Sequence, residues 1–120
     1  MEKLKKILVI VDPDNDKDHV IDRAILLGFY YRTSVVLVMN KANVLAQEES
    51  TQSGLTARFF SSQKQKFQEH YQDRLDALQK RFEAQGIEAR SVFTSDKNAS
   101  EALLKLIHSE QPDMVLKSVQ

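Results

Sequence analysis

The chain contains no cysteine and carries no net charge, its 17 lysines and arginines matching its 17 aspartates and glutamates. Without cysteine there is no disulfide, no thiolate nucleophile and no zinc site built on thiolates. That composition fits a reducing compartment. The balanced charge supplies no electrostatic excess to draw the chain toward nucleic acid or an anionic membrane. Long apolar runs are absent too. The run near the N-terminus, Ile7 to Val11, is too short for a signal peptide or a membrane-spanning helix. Cytoplasm is the expected location, with neither nucleic acid nor membrane as a partner.

Catalytic and metal-binding patterns are also missing. His19, His70 and His108 fall on three different predicted helices, without His-Glu-x-x-His spacing. The serines and threonines near 50–62 have no Gly-x-Ser-x-Gly elbow and no base beside them. Asp14, Asn15, Asp16 and Asp18 lack the central Gly and bidentate Glu of a calcium loop. Capping of the following helix by Asp14 to Asp16 explains them better. No enzyme activity, cofactor or metal is expected from these residues.

What the sequence does contain is alternation. Ile7-Leu8-Val9-Ile10-Val11 is a continuous, β-branched-rich run, the pattern of a parallel strand buried on both faces. Turn formers at 12–16 end it, and Val20, Ala24, Leu27 and Tyr31 then recur at helical spacing, predicting a helix over 16–31. Val35 to Met39 is a second buried strand, completing a βαβ unit. No period holds from Lys41 to about Ser61, so that stretch reads as a long loop. Phe67, Tyr71, Leu75, Leu78 and Phe82 step by three or four, predicting a long helix over 62–85 that Gly86 stops. Phe59, Phe60 and Phe67 at its entrance read as core packing.

A less buried strand follows over 87–93, suited to a sheet edge. Asn98 with Glu101 resembles a capping box opening a short helix that Pro112 ends. Met114-Val115-Leu116 is a last short strand. The order β-α-β-α-β-α-β, without repeat or linker, predicts a parallel sheet with helices on both faces.

Three features in this order resemble the universal stress protein family: Lys6 to Asp12, a buried strand ending in Asp; the long loop and helix between the second and third strands; and Gln111-Pro112-Asp113-Met114-Val115-Leu116. The similarity covers the whole chain. It implies an open α/β sheet of the adenine-nucleotide alpha-hydrolase type, ordered 3-2-1-4, with the family's fifth strand missing. It also implies a non-catalytic binding or scaffolding role in a cytoplasmic stress response. By matching position, Asp12 would be the family's adenine contact. A second family contact, a Val ending the second strand, falls near Met39 or Asn40 and is not matched.

Nucleotide-binding members carry a Gly directly after the fourth strand, opening a loop whose amides hold phosphate. Here that position is Lys117. Such a replacement is similar to the N-terminal half of E-type tandem universal stress proteins. Residues 1–120 would then be one incomplete domain of a longer protein, its partner a second tandem domain or another copy. ATP binding by the full-length protein is the alternative within the family. An unpaired edge on the fourth strand would favour dimerisation through residues near 113–120 or through uncovered helices.

If the strand order is 3-2-1-4, Asp12 and Lys117 flank the point where the order reverses, and an ion pair between them is expected. From outside the family, a receiver-like phospho-acceptor domain shares Asp12, Asp14 and a late Lys, although the second strand ends in Met39-Asn40 rather than an acceptor Asp. A flavin-binding α/β domain is disfavoured because the first loop lacks small residues.

Overall fold

The computed structural model describes residues 4–14, 19–42 and 54–117, with side chains from 65 onward in the last segment. Seven elements follow in chain order: β1 (Lys6–Ile10), α1 (His19–Tyr31), β2 (Ser34–Asn40), α2 (Gly54–Ala84), β3 (Ala89–Thr94), α3 (Ala99–Glu110) and β4 (Met114–Lys117). The sheet is parallel throughout and ordered β3-β2-β1-β4, as expected. A receiver or flavodoxin sheet runs 2-1-3-4-5, with β1 between β2 and β3. Here β1 lies between β2 and β4, which removes both of those alternatives.

β1 and β2 are central and their side chains are buried on both faces, which is why they read as unbroken apolar runs. Because successive side chains alternate, each strand serves two cores. Ile7, Val9, Val35, Leu37 and Met39 point to the face covered by α1 and α2, together with Val20, Ile21, Ala24, Leu75 and Phe82. Leu8, Val36 and Val38 point to the other face, where Val92 and the Leu103, Leu106 and Ile107 row of α3 meet them. Burial of Phe82 and Leu75 contributes about 2–3 kcal/mol each.

The long helix begins at Gly54, eight residues before its expected start of 62. Residues 55–66 contain no proline and several good helix formers, among them Ala57, Arg58, Gln63 and Lys64, and these outweigh the missing apolar period. Residues 43–53 of the expected loop, residues 16–18 of the expected first helix, and the side chains of Phe59 and Phe60 lie outside the described residues. Phe67 is half-buried with its ring edge-on to Tyr71 at 5.0 Å, and Tyr71 stacks on Phe93 at 6.2 Å.

Two glycines are needed by geometry. Gly86 has φ +76 in the turn that stops α2, a left-handed conformation suited to glycine. Gly28 lets α1 approach Ile87 so closely that a Cβ there would meet the Ile87 side chain at 3.2 Å. At the N-cap of α3, Asn98 Oδ1 accepts the Glu101 N–H at 3.1 Å, so that half of the expected capping box is made. The Glu101 carboxylate turns instead to Lys105, at 3.5 Å. Asp113 ties β4 to β1, its carboxylate accepting the N–H groups of Lys5 and Lys6 at 2.9 and 3.0 Å.

Candidate functional site

The connections leaving β1 and entering β4 lie on opposite faces, so the carboxyl ends of these two strands flank the switch point of the sheet. A cavity of about 580 Å³ opens there, on the α3 face. Ile10, Val38, Leu103 and Leu106 give it an apolar wall, and Asp12, Asn40, Thr94, Ser100 and Lys117 give it a polar rim. Among the described residues α3 alone covers this face, and it leaves the carboxyl end of β1 and β4 open. Val115 on β4 remains 40% exposed for the same reason.

The rim is held by the loops themselves. Asp12 Oδ1 accepts the Asp14 N–H at 2.9 Å, an Asx turn that shapes the chain beyond β1. From the opposite face, the Arg74 guanidinium of α2 donates to the carbonyl oxygens of Asp12, at 2.8 Å, and of Pro13. The Asp14 carboxylate takes Lys41 at 2.9 Å and the Tyr71 hydroxyl at 3.5 Å. Asp14 therefore secures the loop, and the N–H groups that its expected cap would serve, at 15–18, are outside the described residues. Asn15 and Asp16 lie outside the described residues. The hydrogen bond to Asp14 holds the Lys41 pKa above its ordinary value, because it favours the charged ammonium.

Asn40 does the corresponding work at the end of β2. Its Oδ1 accepts the Thr94 hydroxyl at 2.7 Å and the Asp96 N–H at 3.0 Å, while its Nδ2 donates to the Asp96 carbonyl at 3.1 Å. The β3–α3 loop is thereby clamped to the neighbouring strand, and the N-terminus of α3 is aimed at the cavity. In the sequence Asn40 stands only as a position unmatched to the family's Val, and Asp96 carries no motif. Their polarity was visible, but their pairing depends on the β2–β3 register, which places Asn40 opposite Thr94. Arg74 gave no signal, since its role follows from how α2 is rotated over the sheet.

Asp12 and Lys117 do line the same cavity. Lys117 is the register partner of Ile10, two residues before Asp12. The ion pairs described in the structure do not include one between them, and Asp12 has a further interaction besides its Asx turn. The Asp12 carboxylate is oriented by its own turn, while Lys117 stays exposed at the outer strand.

The three histidines lie on α1, α2 and α3, and none lines the cavity. Among the described residues no cluster of three His, Cys, Asp or Glu side chains is arranged to hold a metal ion. No helix among them is long and apolar enough to cross a membrane.

No model of a known protein family and no curated protein matches the sequence. Solved structures do. A protein of the universal stress protein family from Burkholderia pseudomallei superimposes with a TM-score of 0.71 at 16% identity, over 99% of this chain and 84% of that one. The hypothetical protein MJ0577 gives 0.65 at 17% identity, over 96% of this chain and 74% of the other. A universal stress protein in complex with cAMP gives 0.55 at 14% identity, over 95% and 71%. This chain thus has the fold of these structures, an open parallel α/β sheet with helices on both faces.

Proposed function

We propose that the protein is a non-catalytic binding module of universal stress type, acting in a cytoplasmic stress response. The cavity at the switch point carries this reading. Its volume falls within the ordinary range for small-molecule sites, about 300–1,000 Å³, and its apolar wall with a few rim polar groups suits a planar ring. Its chemistry supports binding over turnover. The Thr94 hydroxyl is committed to Asn40, and neither it nor Ser100 has a histidine beside it in the cavity wall.

An adenine nucleotide is the second reading, favoured by the position of Asp12 beyond β1 and by the cAMP held by one protein of this fold. Against tight capture of a triphosphate stands Lys117, where phosphate-binding relatives offer glycine amides. One mobile ammonium is a weaker phosphate cradle than several convergent N–H groups. The same replacement supports a role as one half of a tandem pair, which the mass of the native protein would test directly.

Calorimetric titration with AMP, cAMP and ATP, combined with a phosphate-release assay, tests the proposal. Binding is expected to be no tighter for ATP than for AMP, with no phosphate released. It should be lost when Leu103→Trp fills the cavity. Steady ATP turnover that the filled variant lacks would overturn the non-catalytic reading, and tight ATP-selective binding would overturn the role given to Lys117.

A further inference from the structure

A second groove, of about 560 Å³, lies at the amino ends of the strands, the end opposite the switch-point cavity. It runs between two neighbouring turns, one leading from α1 into β2 and the other from α2 into β3. Phe29 and Tyr30, both exposed, give it an aromatic wall. Arg32 and Glu88 give it one cation and one anion, and neither is in an ion pair among the described residues. Thr33 lines it too, and its hydroxyl is buried without a partner among the described residues, a donor and acceptor still unused. α1 ends at Tyr31 and α2 at Ala84, so two helix carboxyl ends, each partially negative, converge here.

The two turns stop their helices alike but with different residues. Gly86 takes the left-handed conformation after α2, at φ 76, and Arg32 takes it after α1, at φ 56. The Thr33 N–H closes the α1 turn on the Gly28 carbonyl at 3.1 Å. Glycine adopts this conformation freely, whereas a side chain is crowded in it. Arg32 thus holds its place at a cost to the fold, and no carboxylate among the described residues takes up its guanidinium.

We infer that this groove binds a free amino acid with an apolar side chain, held as a zwitterion. The ligand carboxylate meets the Arg32 guanidinium, whose N–H groups form a fork that fits it. The ammonium beside it meets Glu88 and the carbonyls of the helix ends. The apolar side chain lies along Phe29 and Tyr30. Other charge patterns fit less well. A phosphate would bring negative charge to two negative helix ends and Glu88. A plain amine leaves Arg32 unanswered, and a plain carboxylate leaves Glu88 so. The site stands apart from the reading given to the switch-point cavity and does not depend on it.

Titration of the isotopically labelled chain with L-phenylalanine, followed by its amide spectrum, reads the groove directly. Phenethylamine and phenylpropionate, each lacking one of the two charges, are the comparison ligands, with inorganic phosphate as a third. L-phenylalanine is expected to shift the amides of Thr33, Gly86 and Glu88, with a dissociation constant on the order of millimolar. It should bind at least about 10-fold more tightly than any of the three comparison ligands. Arg32→Gly separates binding from folding, because glycine suits the left-handed position. R32G is expected to be at least as stable as wild type in urea, yet to bind L-phenylalanine about 10-fold more weakly or worse. E88Q should weaken L-phenylalanine and phenethylamine and leave phenylpropionate no weaker.

No shift at about 20 mM L-phenylalanine would overturn the inference. Equal binding of phenylpropionate or inorganic phosphate, or undiminished binding by R32G, would do so as well. Shifts confined to Asp12, Thr94 and Ser100 would move the ligand to the other cavity and sink the assignment.

Discussion

The two faces of the sheet are built from the same strands and differ in what covers them. Under α1 and α2 the described core has twelve buried residues, from Ile7 through Phe82 to Ile87. Under α3 it has three, Leu8, Val36 and Val38, with Leu103, Leu106 and Ile107 only partly buried against them. One helix cannot cover four strands, so the second face ends in a cavity at the carboxyl side and in charges at the amino side. There Glu110, at the end of α3, takes Arg90 of β3 and Lys6 of β1, the latter at 3.6 Å. The closely packed face therefore holds the fold together, and the sparsely covered one supplies the space for a ligand.

The comparison is broken most directly by emptying each core in turn. Phe82→Ala on the dense face should cost about 3–5 kcal/mol in urea unfolding, and Leu106→Ala on the sparse face about 1–2 kcal/mol. Equal losses would refute the asymmetry. Asn40→Ala removes three hydrogen bonds at the cavity rim and should cost about 2 kcal/mol. The β3–α3 loop amides, Asp96 N–H first among them, should then exchange faster with deuterium.

Glu110 sharpens the comparison at the other end of the sparse face. The hydrogen bond from Arg90, with the nearby charges of Arg90 and Lys6, holds its carboxyl below the usual range. A carboxyl depressed in the folded state stabilises the fold above its unfolded pKa and loses that contribution as pH falls through the folded value. Glu110→Gln should cost about 1 kcal/mol at neutral pH. Its stability should also fall less steeply than wild type below about pH 4.5.

The smallest change expected is a gain. The Thr33 hydroxyl is buried without a hydrogen-bond partner among the described residues, so Thr33→Val should raise stability by up to about 1 kcal/mol. A loss would mean that water or a ligand satisfies that oxygen.

The strand cores were legible in the residues because β1 and β2 are buried on both faces, which forces unbroken apolar runs. The edge position of β3 was legible for the opposite reason, since alternating polarity marks a strand with weaker cover. The start of α2 was not legible, because Leu55 and Phe59 sit in a stretch with no sustained apolar period. The site was half legible. Asp12 and Lys117 could be placed at strand ends by counting, and they do share a cavity. The Asx turn that orients Asp12 and the exposure of Lys117 could not be foreseen, since they depend on loop geometry and on the edge position of β4.

The sequence by itself determined the alternation of elements, the parallel sheet and the cap at Asn98, all of which depend on local pattern and short-range hydrogen bonding. Tertiary structure alone decided that Arg74 and Asn40 hold the cavity rim and that the ends of α1 and α2 border one groove. These depend on strand register and on the rotation of each helix over the sheet, and both are set by packing between residues far apart in the chain.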